Sequence, residues 1–411
     1  MLKFSFLSGL LLAGASLPAH AVQLTLPQLP AYVRAHNPGL AAARLTVDEA
    51  QGRLTQSGRL SNPEAGLSFQ HDDRFREGSL SLSFDQKFPL TARLRLEKEL
   101  STKEVTAAEL EVRDTARKLI VQAQVLVVKL LALEKQRALR QQQAELAEKL
   151  SGFAAKRAEA GELSALDAAQ AQVDAQRIIL ESRVLETERV SLLGELRPLL
   201  GLSATETLSL AGELPAPVLP AMSSAWRQRP DYQLAKLKED AAQVGIRHAQ
   251  ADKWQDINAG VFVEGERMED APEGLQRTPF FGLRFSLPLP LWNKNEGKIQ
   301  EQTATARRVV LETEALALTI QSEAEAARAD MQAQLSLATD TRDKLLPLVL
   351  QQTGRLEKAY EQGQTDLLTV LRAREQRLQL EAAVLNAQRD FHLARVRFES
   401  ALGGPRASAS K

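Results

Sequence analysis

The stretch that decides the fold runs from Gly78 to Phe88 and reads GSLSLSFDQKF. Leu80, Leu82 and Phe84 alternate there with Ser79, Ser81, Ser83 and Asp85. A period of two, with one apolar and one polar face, is the pattern of a strand buried on one side only. The segment at about 278–289 repeats it, with Phe281, Leu283, Phe285 and Leu287 set between Gly282, Arg284 and Ser286. Each has an upstream partner: Ala65, Leu67 and Phe69 in about 64–72, and Ile257, Ala259, Val261 and Val263 in about 257–266. Polar turns are expected from Asp72 to Gly78 and from Arg267 to Arg277. Eight of the 13 phenylalanines fall in these segments or turns, and Trp254 and Trp292 flank the second pair, so aromatic surface is concentrated there.

Strand length separates two readings of this alternation. A small soluble sheet packed on helices would show the same period. About 10 residues at roughly 3.3 Å each, tilted by about 45°, rise about 23 Å, close to the roughly 25 Å apolar band of an outer-membrane barrel. Four strands cannot close a barrel, because bacterial single-chain barrels start at about eight. Strands of membrane-spanning length must then be pooled with copies of the same chain, and three copies would supply about 12.

Two long stretches, one after each strand pair, are rich in Ala, Leu, Glu, Gln, Arg and Lys, which are good helix formers. They run over about 91–200 and about 293–402, with apolar residues at three-to-four spacing, as in Leu139, Leu146, Leu150 and Phe153. A single glycine breaks each near its middle, Gly161 in the first and Gly363 in the second, so each reads as a long helical hairpin. The arm from Thr91 to Ala160 would be about 105 Å long at about 1.5 Å per residue. The expected fold class is therefore mostly α with a small β part.

The halves answer each other. Asn37-Pro38 is matched by Arg229-Pro230, and Phe88-Pro89-Leu90 by Leu287-Pro288-Leu289. Gly161 to Gly363 and Gly201 to Gly403 are both offsets of 202. A tandem duplication explains a spacing that holds along helices and slips in loops. The expected plan is a first repeat at 22–214, a linker at 215–222 broken by Pro215, Pro217 and Pro220, a second repeat at 223–404 and a disordered tail at 405–411.

The first 21 residues read as a secretory signal. Lys3 precedes a short apolar core from Phe4 to Leu12, and Ala19-His20-Ala21 forms a small-x-small site cleaved after Ala21. No later segment offers about 18 uncharged apolar residues, so a membrane crossing would require a closed barrel.

Composition removes other classes. With 52 basic and 52 acidic residues the formal charge is zero, so no global field calls for nucleic acid. The absence of cysteine excludes disulfides, thiolate metal sites and cysteine nucleophiles. His36, His71, His248 and His392 contain no i,i+4 pair, and neither an HExxH motif nor a Gly-rich phosphate loop occurs. His71-Asp72-Asp73 is a local cluster whose position in a turn favours simple solvation. No catalytic, cofactor or metal residues are nominated.

The signal, the two copies of helix–strand–strand–helical hairpin and the proline-rich strand-to-helix junction together resemble the outer membrane efflux protein (TolC-like) family. The sharpest marks are the hairpin tips. These are Arg157-Ala-Glu-Ala-Gly161-Glu-Leu-Ser164-Ala-Leu-Asp167 and Lys358-Ala-Tyr360-Glu-Gln-Gly363-Gln-Thr365-Asp366-Leu-Leu-Thr-Val-Leu371. The junction Leu287-Pro288-Leu289-Pro290-Leu291-Trp292-Asn293-Lys294-Asn295 looks most like the heavy-metal efflux (CzcC-like) branch.

The resemblance implies a homotrimer in the outer membrane of a Gram-negative cell. Its 12 strands would line a β-barrel facing outer-membrane lipid, and its hairpins an α-helical barrel in the periplasm. A periplasmic adaptor would dock it onto an inner-membrane pump of the RND type, in a passive conduit without cofactors. Carried over by position, Asp167 and Tyr360 match two members of the family's gate at the periplasmic tip, which Gly161 and Gly363 mark. The usual basic partner falls on Thr365, and the acidic positions further along fall on Thr369 and Arg372, so the gate pattern is incomplete here. Arg157, Asp366 or Arg372 could supply a different pairing. Glu162, Ser164, Gln364 and Thr365 are the candidate adaptor contacts. Plainer roles compete: Gly161 and Gly363 as helix-ending residues at positive φ, and Asp167 as a carboxylate favoured near a helix N-terminus. A periplasmic coiled-coil scaffold and a protein or peptide secretion duct are the alternative functions.

Overall fold

Strands form where the alternation places them. In the computed structural model, which describes residues 22–221, 225–270, 272 and 274–403, β2 spans Glu64–His71 and β3 Gly78–Phe88, while β5 spans Ile257–Asp270 and β6 Gly274–Ser286. The signal segment 1–21 with Ala21, and the tail 405–411, lie outside the described residues. The remaining strands are β1 (Val22–Leu24) and β4 (Leu208–Leu210), a short parallel pair that no sequence period announces. The helices are α1 (Leu29–His36), α2 (Pro38–Gln56), α3 (Arg93–Glu159), α4 (Ala165–Leu199), α5 (Pro230–Ala251), α6 (Glu296–Asp340), α7 (Leu346–Glu361) and α8 (Leu367–Ala401). No described helix is long and apolar enough to cross a membrane.

Three expectations are corrected. The stretch Arg267 to Arg277 is not a turn: the β5–β6 ladder continues through it to the pair Asp270 and Gly274. Polar side chains do not prevent pairing where both faces can meet water. β6 also ends at Ser286 rather than near 289, because Pro288 and Pro290 have no N–H to give a ladder. The second helical stretch is interrupted twice, at Gly363 and at a π-helical turn over Thr341–Leu345. There the Leu346 N–H donates to the Thr341 carbonyl, five residues back. Pro347 follows at once and removes the donor that an unbroken α-helix would need, which is where such a widened turn is tolerated.

The chain divides into two compact units, each drawing on both halves of the sequence. One comprises the residues up to Asn37, Gln122–Val218 and Gln332–Leu393; the other comprises Pro38–Val121, Leu219–Met331 and the residues from Ala394. The first holds β1, β4 and the tips of the helical hairpins. Here Asn37 Nδ2 donates to the Leu199 carbonyl at 2.8 Å, satisfying an orphan acceptor at the end of α4.

The second unit holds the four-stranded sheet, ordered β2-β3-β5-β6 with every neighbour antiparallel. It also contains an ion-pair network. Arg229 precedes α5, is almost fully buried, and sets its guanidinium 2.6 Å from the Asp231 carboxylate. Arg117 lies 3.6 Å from Asp231 and 2.7 Å from Asp114, and also donates to Ser400 Oγ at 2.8 Å. Arg229 Nη1 reaches the Ala401 carbonyl at 3.4 Å, so the network ties α3 and α5 to the end of α8.

Burial pushes the Asp231 carboxyl up, but the hydrogen bonds and charge of Arg229, then Arg117, outweigh it and hold the group below its ordinary 3.8. Its contribution is thus complete above that value and is lost as pH falls through the lowered one. Arg229→Ala should destabilise the protein by about 3 kcal/mol, since it strands a partly buried carboxylate. Chemical denaturation at neutral pH measures this, and Asp231→Asn should flatten the acid limb of stability against pH below 3.8.

Candidate functional site

Two regions carry candidate functional residues: the hairpin tips of the first unit and the sheet of the second. At the first tip, α3 stops because Gly161 adopts φ +76°. The Glu162 N–H donates to the Arg157 carbonyl at 2.9 Å and the Gly161 N–H to the Ala158 carbonyl at 3.0 Å. At the second tip Gly363 adopts φ +72°, the Gln364 N–H donates to the Ala359 carbonyl at 2.8 Å, and the Gly363 N–H to the Tyr360 carbonyl at 3.0 Å. Both are the paired bonds of a glycine C-cap, which require a left-handed residue at that one position.

The residues after each glycine start the return helix. Ser164 caps α4, its Oγ accepting from the Leu166 N–H at 3.2 Å. Asp366 does the same for α8: Oδ1 accepts from the Thr369 N–H at 2.7 Å and Oδ2 from the Thr369 hydroxyl at 2.9 Å. The Thr369 N–H, with its hydroxyl, holds the Asp366 carboxyl below the ordinary carboxylate range. Asp167 sits half-buried in the first turn of α4, where the helix dipole favours a carboxylate. Glu162 pairs with Arg157 of its own tip at 3.1 Å. Gln364 is exposed and Thr365 half-buried.

Tyr360 is buried, in a cluster with Ala154, Ala171, Leu367 and Val370 that joins the two tips. Its ring meets Phe153 edge-on at 6.5 Å, and the Arg157 guanidinium lies 5.5 Å over the same Phe153 ring. The Tyr360 hydroxyl has no hydrogen-bond partner among the described residues. Burial pushes its phenol up; Arg157 opposes that and Asp167 adds to it. Asp167 thus acts on Tyr360 through its charge, and no hydrogen bond joins the two among the described residues. Of the residues proposed for a different pairing, Arg157 is engaged by Glu162, and Asp366 caps its own helix. Sequence reasoning missed Phe153 as the ring between Tyr360 and Arg157; its place on the three-to-four apolar spacing is the signal that could have found it.

In the sheet, cross-strand register sorts side chains by face. Leu67, Leu82, Val263 and Phe281 share one row, and Ala65, Phe84, Val261 and Leu283 the next. The large apolar side chains of this face, Leu67, Phe69, Leu80, Leu82, Phe84, Val261, Val263, Phe281, Leu283 and Phe285, are 44–78% exposed. Serines, glycines and charged groups occupy the other face, together with Phe262 and Phe280. Trp254 and Trp292 stand exposed at the helical end of the second strand pair. His71-Asp72-Asp73 lies in a turn, where Asp72 Oδ1 accepts from the Arg76 and Glu77 N–H groups and His71 stacks on Phe75 at 3.8 Å.

A four-stranded antiparallel sheet and long helical hairpins are the features on which the chain can be compared with known folds. Residues 221–404 match the family profile described as outer membrane efflux protein. The fold agrees over more of its length. Crystal structures of CusC, which concern folding and transmembrane channel formation, align with TM-score 0.77 at 17% identity, over 92% of this chain and 92% of theirs. The outer membrane protein VceC of Vibrio cholerae aligns with TM-score 0.75 at 20% identity, over 92% of this chain and 96% of its own. The open-state outer membrane channel MtrE of Neisseria gonorrhoeae gives 0.73 at 16% identity, over 92% and 89%. No curated protein matches the chain by sequence.

An unbonded buried hydroxyl is a net cost. Tyr360→Phe should therefore leave the separated subunit as stable or about 1 kcal/mol more stable. Loss of stability in the assembled form alone would show that a neighbouring copy supplies the missing partner; paired melts in dissociating and assembling detergents read the difference. Asp366→Ala should remove amide-exchange protection from the first turn of α8 and leave the α7 end unaffected.

Proposed function

We propose that the chain is the outer-membrane channel component of a tripartite efflux system, a passive homotrimeric conduit rather than an enzyme. The bare apolar face of the sheet carries this reading, because a soluble sheet packed on helices would cover it. Both sheet edges, β2 and β6, are open within the chain, and they run in opposite directions. A second copy can therefore add β2 beside β6 in the same antiparallel sense, and three copies of four strands close one wall. The apolar face then meets lipid and the serine-rich face meets water. Exposed Leu166, Val173 and Leu180 on α4, seven residues apart, give the helices a seam for a neighbouring copy. The duplicated plan read from the sequence supplies each subunit with two strand pairs and two hairpins.

The tips are the natural end for docking. Glu162, Ser164, Gln364 and Thr365 would face a periplasmic adaptor, and beyond it an inner-membrane pump of the RND type. Asp167 and Tyr360 would belong to the closure of the tunnel, and Arg372, which has no ion pair among the described residues, to its charge. A cargo of heavy-metal ions is supported by the Leu287–Asn295 junction alone.

Purified in detergent, the processed protein should run as a trimer and give discrete conductance steps in planar bilayers. A detergent-free soluble monomer without conductance would overturn the reading. Asp167→Ala with Tyr360→Phe should raise the open probability of those channels; conductance identical to wild type would remove both residues from the gate.

A further inference from the structure

We propose that Arg267 and Arg277 form a site on the outer surface of the barrel for the phosphate-bearing headgroup of a membrane lipid; this rests on the conduit reading above. The β5–β6 ladder sets the two arginines directly opposite one another. Both are exposed, and neither has an ion pair or side-chain hydrogen bond among the described residues. Like charges facing each other across a ladder destabilise it, so the pair is matched to an anion from outside the chain. Glu269, the nearest carboxylate on the same face of β5, is already held by Arg76 at 3.6 Å.

Position identifies the anion. Arg267 has the strand parity of Val261 and Val263, and Arg277 that of Phe281 and Leu283, so both project from the apolar face. The row beneath them, Gly265 with Pro279 and then Leu80 and Phe69, is still apolar. Arg267 lies ten residues beyond Ile257, about 33 Å along the strand or about 23 Å once tilted by about 45°. That is close to the full height of the roughly 25 Å apolar band. The pair also lies at the hairpin end away from α5 and α6. Two guanidinium forks at the rim of the hydrocarbon, on its outer side, each carry the donors that bond phosphate oxygens bidentately. A lipid satisfies both neighbours at once, with acyl chains along Phe281 and Val263 and phosphate between the arginines.

The test uses the full-length channel in phosphatidylcholine nanodiscs containing lipopolysaccharide or its dephosphorylated form, with bound lipid counted by native mass spectrometry. Wild type should retain the phosphorylated lipid about tenfold better than R267Q/R277Q. R267K/R277K, which keeps the charge without the fork, should fall between them and serves if the glutamine variant fails to insert. Equal retention by wild type and either variant, or equal retention of the dephosphorylated lipid, would overturn the proposal. Displacement of the lipid by millimolar inorganic phosphate would overturn its lipid assignment in favour of a free anion. Conductance recorded on the same samples keeps the two readings apart: the variants should conduct like wild type, and a wild type that never conducts sinks the conduit instead.

Discussion

A β-strand edge in hydrocarbon cannot leave its N–H and C=O groups unpaired, and the organisation of this chain follows from that constraint. The sheet has four strands and two open edges, so the chain by itself does not satisfy its own backbone. Nor does it cover its own apolar face, where Phe281 is 78% exposed. In water both would be liabilities. In lipid the exposed face becomes an asset, and the edges remain the only unmet demand. In the conduit proposed above, copies of the same chain would meet it, because an even number of alternating strands makes β6 antiparallel to β2 and so would keep the alternation unbroken across each seam.

In the unit that holds the hairpin tips the demand is different. The tips lie among helices, where backbone groups are already satisfied except at helix termini. Gly161 and Gly363 close the outgoing helices, and Ser164 and Asp366 open the returning ones. These residues therefore have complete local roles before any gate or adaptor is invoked. What the local roles leave over is small: the Tyr360 hydroxyl, Asp167 beside it, and Arg372. The gate proposed above would need groups that are satisfied in one assembly state and unsatisfied in another, and the Tyr360 hydroxyl, unpartnered among the described residues, would supply one of them.

Much of the fold was legible because it obeys simple periods. Alternation at Leu80, Leu82 and Phe84 located β3, and three-to-four spacing located the hairpins. The missed elements have no period to read. Val22–Leu24 and Leu208–Leu210 are too short to show one, and the π-helical turn at Thr341–Leu345 is announced only by Pro347. The end of β5 was lost for another reason. Apolar alternation reports burial, and from Arg267 onward the strand carries charge on both faces while still pairing. At the tips, glycine and cap positions could be read from residue type, whereas the isolation of the Tyr360 hydroxyl depends on packing by Phe153, Ala154 and Ala171 that sequence spacing does not specify.

The polar face shows how a conduit wall can be thin as well as hydrated. A Cβ on Gly260 would collide with the Asp85 carboxylate, and one on Gly282 with the Phe262 ring. Each glycine gives a neighbour from the adjacent strand room to lie flat across the sheet instead of projecting from it. Arg284 then lies over Phe262 at 5.4 Å, which covers the one large ring in that row with a hydrated cation. Side chains laid along the wall take up less of the enclosed space than side chains standing perpendicular to it. In the barrel proposed above, a modest strand number would gain usable width by this means without adding strands, and the glycines would follow from the need for width as directly as the exposed leucines from the need for lipid.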